Sequence, residues 1–519
     1  MKLTLTAVCA ALALTAAVAA QADNAHPTKQ LILGLNADIP SSNPGVDRDA
    51  NADTVLLHVI EGLVAYKEDL TIGPMLAESW QVSDDGRTYT FKLRPGLKFH
   101  NGAPVTSADV AWSFARYVDP NTNWQCTYRF DGSYGPKIEK IDTPDELTTA
   151  FHLSRADGMF LTSLASTQCL GAVLHKDSLK ADGTWDKPIG TGPYMFRDWQ
   201  HDRYIDLARF PDYQSLPGER DGLTGAKIAY ADELRFLVVP ESAARESALY
   251  AGQIDIMADL PPNNLELARG KGVQVQPQPS MAWELLLTQT SDPLIGDVRI
   301  RQAIAHAIDL QTVADTTTFG LATANPSAVA SMSPYFTDAE KVWPAYDPEK
   351  AKALLKEAGY DGAVIKLLTN KKYEEMYSNA VAIQSMLAQA GMNVELEVLD
   401  WAAHLDAYAQ GKFQLSTFGY SARLDPALMY ETFVCPKSVD PSCFWEDAAA
   451  VQMLTDMMTE SDRGKRQAIF DRAHALMAEQ VPVIGLYNDV LLIAVAGNVH
   501  GHSDWPGGTV RLWNVWKDQ

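Results

Sequence analysis

AVIKLLTNKKYEEMYSNAVAIQSMLAQAGMNVELEVLDWAAHLDAYAQGKFQLSTFGY, residues 363–420, changes period four times in one stretch. AVIKLLT is a near-continuous apolar run of strand length, and NVELEVL and FQLSTFGY are two more strands. Between them, EEMYSNAVAIQSMLAQAG and DWAAHLDAYAQG read as helices, each ending at a glycine. A β-α-β-α-β order forces crossover connections, so it predicts a mostly parallel sheet with helices on its faces. Ligands of such open sheets sit beyond the carboxyl ends of the strands. That directs attention to the residues just after FQLSTFGY.

Upstream, DVRIRQAIAHAIDL carries Ile300, Ile304 and Ile308 on one helical stripe. DPEKAKALLKEAGY opens with Asp347 as N-cap and Pro348 at N1, and closes on Gly359. The first half is richer in strands. Leu31–Leu35 is a short strand, and TVLLHVIEGLVAY reads as a helix closed by Gly62. In FKLRPGLKFHNGAPVTSADVAWSF, Phe91 to Phe114, a strand meets Pro95-Gly96, a short strand meets Asn101-Gly102, and a helix starts at Thr106 with Asp109 in its first turn. Residues 137–210 are strand-rich, ELRFLVVP is a strand, and ESAARESALYAGQIDIM is a helix followed by a strand. At 519 residues the chain exceeds one core, so it is read as two α/β lobes.

Residues 1–22 have the form of a secretory signal: Lys2, an apolar run to Ala20, and Ala20-Gln21-Ala22 or Val18-Ala19-Ala20 as the cleavage site. Cys9 lies inside the apolar run and follows Val8, a poor setting for a lipidated cysteine. The mature protein is expected in the periplasm, soluble. The net charge of −22 becomes one unit more negative without Lys2, which disfavours nucleic acid and anionic lipid as partners. Four cysteines remain, and in an exported chain they suggest disulfides. Of the three possible pairings, Cys435–Cys443 closes a short turn-rich loop and leaves Cys126 with Cys169. Zinc is the rival use, but C-x-x-C is absent and no histidines cluster nearby.

LAESWQVSDDGRTYTFKLRPGLKFHNGAPVTSADVAWSFAR, residues 76–116, closely resembles the signature segment of the family 5 extracellular solute-binding proteins, the dipeptide-, oligopeptide- and nickel-binding receptors of ABC importers. VIEGLVAY, PIGTGPYMF, DVRIRQAIAHAID, YDPEKAKALLKEAGY and Asp425-Pro426 follow in the family's order. The resemblance implies a two-lobed periplasmic binding protein fold with an extra small subdomain. Lobe one is then residues 23–285, with the subdomain inserted at about 60–195. Lobe two is 286–489, and 490–519 return to lobe one. The function it implies is a monomeric receptor that closes on a solute and delivers it to an inner-membrane permease, with no cofactor, metal or catalysis.

In peptide binders of the family, an acid in the loop after the lobe-two strand pairs with the ligand ammonium. By spacing that position is Ala422 here, with Arg423 next to it. A guanidinium in a closed cleft suits a carboxylate or phosphate. Ligand contact is therefore expected from Arg423, with Asp425 as the nearest acid, although an N-cap before Pro426 would equally use Asp425. Tyr420, Trp401, Trp283 and Trp124 are further candidates, each with core packing as the alternative among 12 tryptophans; Arg129 is a weaker one. The ligand stays open among an anionic peptide-like compound or opine, an ordinary peptide, a sugar and a chelated metal. An exported glycosidase or peptidase is the competing reading, but G-x-S-x-G, H-E-x-x-H and Walker A motifs are absent, and His500 and His502 lack a third ligand.

Overall fold

The computed structural model describes residues 28–518 except 134, 439, 440 and 461, so the signal segment 1–22 lies outside the described residues. The stretch 363–420 forms the middle of a five-stranded sheet. Its strands Ile365–Asn370, Val394–Leu399 and Leu415–Tyr420 are mutually parallel, with Ile365–Asn370 in the centre of the three. Helix Glu374–Gln389 covers one face through Ala380, Ile383 and Leu387, which are fully buried. Helix Trp401–Ala409 is capped by the Asp400 carboxylate, which accepts from the Ala403 N–H at 3.0 Å. The sheet is mixed rather than mostly parallel. Gln278–Thr288 runs antiparallel to Leu415–Tyr420, and Val483–Leu491 runs antiparallel to Gln278–Thr288 at the edge. Helices Val298–Ala307 and Pro348–Ala358 pack on this sheet's core. The second is capped by Asp347 and by Gly359 at φ +76°, where a side chain would be strained.

A six-stranded sheet organises the other lobe, in the order Ala494–Val495, Ile256–Met257, Thr28–Leu35, Ala231–Val238, Tyr204–Arg209 and Tyr194–Gln200. A four-stranded antiparallel sheet, Ala77–Val82, Thr88–Leu93, Thr148–Leu153 and Ile138–Asp145, forms the smaller unit. The punctuated stretch 91–114 carries the end of its strand Thr88–Leu93 and the helix that follows. Asp109 accepts from both the Thr106 N–H at 2.9 Å and the Thr106 hydroxyl at 2.7 Å, starting helix Ser107–Tyr117. Two local readings depart from the structure: the short strand expected before Asn101-Gly102 is a single bridge between Lys98 and Pro104, and the helix expected over TVLLHVIEGLVAY ends at Leu56. Distant chain captures the rest. The His58 carbonyl accepts from Tyr194 N–H, Val59 from Gly192 N–H, and Glu61 from Val173 N–H. Long-range pairing overrides helix propensity there.

The chain crosses between the two large sheets in neighbouring strands: Gln278 is in register with Leu491 and Pro279 with Val490. Residue 285, the expected end of lobe one, falls inside strand Gln278–Thr288, whose partners all belong to the five-stranded sheet. Val490 packs against the cores of both lobes.

Candidate functional site

The carboxyl ends of the parallel strands face the first lobe, and the two lobes touch there. Gln168 Nε2 donates to the Ala422 carbonyl at 3.0 Å, and Arg129 pairs with Glu431 at 3.4 Å. Tyr420 ends its strand with its hydroxyl 3.0 Å from that of Tyr408, and Tyr408 stacks on Phe418 at 4.4 Å. Trp401 is half-buried beside them, 4.8 Å from Tyr373 and 5.8 Å from Phe418 between ring centroids.

Arg423 follows this aromatic wall. Its Nη1 donates to Ser421 Oγ at 2.7 Å and to the Ser421 and Ala422 carbonyls at 3.1 and 3.4 Å. Among the described residues no carboxylate is in ion-pair range of Arg423. Burial and the neighbouring guanidiniums of Arg129 and Arg48 push its pKa below the ordinary arginine value, against Tyr128 and Glu431. Arg48 is held by Asp53 through Nε at 3.1 Å. Arg129 is 9% exposed, and its Nη1 has no hydrogen-bond partner among the described residues. Three guanidiniums thus lie near one another, with Asp53 and Glu431 as bonded carboxylates and Asp49 and Asp157 beyond them. Arg423 is the one of the three with no carboxylate in ion-pair range among the described residues, and a guanidinium so placed favours an anion.

Three other candidates have different partners. The Asp425 carboxylate is buried, caps helix Pro426–Tyr430 by accepting from Ala427 N–H at 2.9 Å, and takes two bonds of 2.9 Å from Arg466. Trp283 is opposite Tyr420 in register, 1% exposed, and donates from Nε1 to the Asn325 carbonyl at 3.2 Å. Trp124 stacks between Tyr117 at 4.6 Å and Phe130 at 5.9 Å, in the core shared by lobe one and its small sheet. Their neighbours come from segments too distant in sequence to see: Arg466 is 41 residues past Asp425. Arg48 and Glu431 were not singled out from sequence, since a lone charge near a turn carries no signal.

Both disulfides form, Cys126–Cys169 with Cα atoms 5.8 Å apart and Cys435–Cys443 at 5.6 Å. No group of metal-ligating side chains and no helix long and apolar enough to cross a membrane occurs among the described residues.

The profile of the bacterial extracellular solute-binding proteins, family 5, matches residues 71–439. Di/tripeptide-binding protein 1 of Pseudomonas aeruginosa (strain UCBPP-PA14) is 27% identical, with 91% of this chain and 90% of that protein covered. The solved periplasmic binding protein AgaA of A. tumefaciens R10, in complex with agropinic acid, superposes with a TM-score of 0.78 at 28% identity, over 94% of this chain and 99% of that one. DppA of Helicobacter pylori, in complex with the peptide STSA, gives 0.80 at 25% identity, over 95% and 99%. With a whole-chain match in sequence and fold, and with the lobe contacts arranged around the strand ends, the chain belongs to the bacterial extracellular solute-binding proteins of family 5.

Proposed function

We propose that this receptor of an ABC importer encloses a small peptide or peptide-like solute bearing a carboxylate, and that Arg423 and Arg129 hold that carboxylate between the lobes. Family membership makes the chain a transport receptor and leaves the exported-hydrolase reading without support. The observation that carries the proposal is unmatched guanidinium at the lobe contact: Arg423 without a carboxylate partner, and Arg129 Nη1 buried without an acceptor among the described residues. The di/tripeptide-binding relative and the agropinic acid complex are consistent with a ligand of this kind. Tyr420 and Trp401 line the same end of the sheet and suit the ligand's apolar part. Closure follows because the ligand contacts both lobes and only the closed form offers both sets of contacts. The working unit is a monomer in the periplasm that docks on the permease.

Native mass spectrometry of the purified protein identifies retained ligand, and titration calorimetry compares wild type with Arg423→Ala and Arg423→Lys. Loss of a desolvated charge partner costs roughly 2–5 kcal/mol, so affinity falls about thirty-fold or more for Ala, with partial recovery for Lys. An Ala variant that binds as tightly as wild type refutes the assignment.

A further inference from the structure

A second group of charges, of opposite sign, lies at the same end of lobe two and is not used by the carboxylate reading. Glu284 is the single charge in the apolar strand Gln278–Thr288. It sits opposite Gly419, one residue before the strand end at Tyr420, and a Cβ at Gly419 would overlap Glu284 Oε1. The backbone leaves room for this carboxylate and for nothing larger on the facing strand. Glu375 occupies the first turn of helix Glu374–Gln389, which starts just after strand Ile365–Asn370. Asp489 lies on Val483–Leu491, two residues before the register pair that joins the crossing strands.

The three carboxylates feel one another. Burial, then Glu375 and Asp489, push the Glu284 carboxyl well above the usual range. Burial raises Glu375 to about 7, with Asp489 adding to it, and burial raises Asp489 as well. No basic side chain contributes at any of the three. None is in an ion pair among the described residues. Glu284 is 6% exposed, yet its Oε2 has no hydrogen-bond partner there. Buried carboxylates ordinarily come with a cation or a full set of donors. Glu375 and Asp489 are half-buried and so more accessible than Glu284. Burial, then Glu375 and Asp49 of lobe one, raise the pKa of Tyr373, whose ring packs on Trp401. The Lys372 ammonium lies 5.6 Å from the Tyr373 ring centroid, which shows that an aromatic surface beside acids suits a cation here.

We propose that Glu375 and Asp489, backed by the buried Glu284, form the seat of a cationic group on the ligand, separate from the arginine pole. This rests on the receptor reading above and adds the charge of the ligand's second group: the preferred solute carries an ammonium or guanidinium as well as a carboxylate. The cation supplies a counter-charge to carboxylates that no basic side chain offsets.

Two measurements test this. The first needs no ligand. If the three acids await an external cation, neutral isosteres relieve their repulsion. Glu375→Gln, which removes a carboxyl that is largely charged at this pH, is then expected to melt about 1–3 °C above wild type at pH 7.5 without ligand. A lower melting point for Glu375→Gln shows a structural role for that carboxylate and overturns the proposal. The second uses a synthetic pool of di- and tripeptides lacking arginine, the same pool acetylated on every amine, and the same pool amidated at the C-terminus, with retention read by native mass spectrometry. Acetylation is expected to lower retention at least about tenfold on wild type, and the Glu375→Gln/Asp489→Asn variant is expected to lose that discrimination. Equal retention of free and acetylated peptides overturns the seat. Amidation reads the arginine pole independently. Should the untreated pool leave nothing bound, the peptide reading fails, and the melts alone decide the acidic seat.

Discussion

Replacing Asp425 by Asn keeps the side chain's shape and its capping oxygen while removing one charge. Asp425 is 8% exposed and Arg466 6%, and the two share a fork of two 2.9 Å hydrogen bonds. Arg466 has further acceptors in the Met457 carbonyl at 2.9 Å and the Tyr335 hydroxyl at 3.0 Å, but no second carboxylate among the described residues. An exposed pair would be worth at most about 1 kcal/mol. Burial changes the scale, because the Asn variant strands a guanidinium away from water, a loss of about 3–5 kcal/mol. Asp425→Ala should lose about 1 kcal/mol more, since helix Pro426–Tyr430 also loses its cap. The double variant Asp425→Asn/Arg466→Met removes both charges and should recover much of the loss, giving a large coupling in the cycle. Urea unfolding of the mature protein, extrapolated linearly and repeated in 1 M salt, measures these differences; a buried pair should be nearly insensitive to the salt. If Asp425→Asn unfolds within about 1 kcal/mol of wild type while ligand affinity collapses, Asp425 serves the ligand, and the structural role assigned here is wrong.

Thiol titration of the denatured, unreduced mature protein should detect essentially no free thiol, whereas one or more thiols per chain would break at least one of the two bridges. Removing Cys126–Cys169 should destabilise more than removing Cys435–Cys443, because the loops span 43 and 8 residues; chain entropy gives about 4 against about 2.5 kcal/mol, and a reversed order in urea melts would refute this account. Burial raises Asp53 and Asp157 to about 6 and Glu375 to about 7, so their contribution to stability is complete below the unfolded carboxyl pKa and is lost as pH rises through these values. Unliganded melting temperatures should therefore carry a declining component between about pH 4.5 and pH 8, and Glu375→Gln should flatten its upper part; an unchanged slope counts against the raised value. A ligand found by native mass spectrometry should compact the protein in small-angle scattering and raise its melting point, and tight binding with an unaltered scattering profile would tell against clamp closure.

The β-α-β-α-β stretch was legible because each element has a strong local period and clear ends: Gly391 follows the first helix, and the second is capped by Asp400 and followed by Gly411. Thr106 with Asp109, and Asp347 with Gly359, were equally local and equally readable. What the local pattern cannot hold is partnership. TVLLHVIEGLVAY reads as helix until Tyr194 and Gly192 arrive from well over a hundred residues away. Trp124 and Trp401 look alike in sequence, yet the first is sealed between Tyr117 and Phe130 while the second stays half-buried beside Tyr373. Arg423 could be placed because a loop after a parallel strand has a known address, but Arg48, Arg129 and Glu431 reach it from three separate segments. Glu284 was visible as a charge inside SMAWELLL, and its meaning depends on Glu375 and Asp489, which only the fold brings near.

The crossing strands have a consequence for how the molecule can be taken apart. Gln278 and Leu491 are register partners, so everything between them leaves and re-enters the first lobe at one place. The second lobe is a guest whose two ends already lie side by side, as they must for an insertion that does not disturb its host. It can be excised as a single uninterrupted segment, and the gap left behind is short enough for a few residues to bridge. Exchanging that segment between relatives of this family would transplant the arginine loop and the acidic group together, and a solute preference that moves with them would locate the choice of ligand in this lobe.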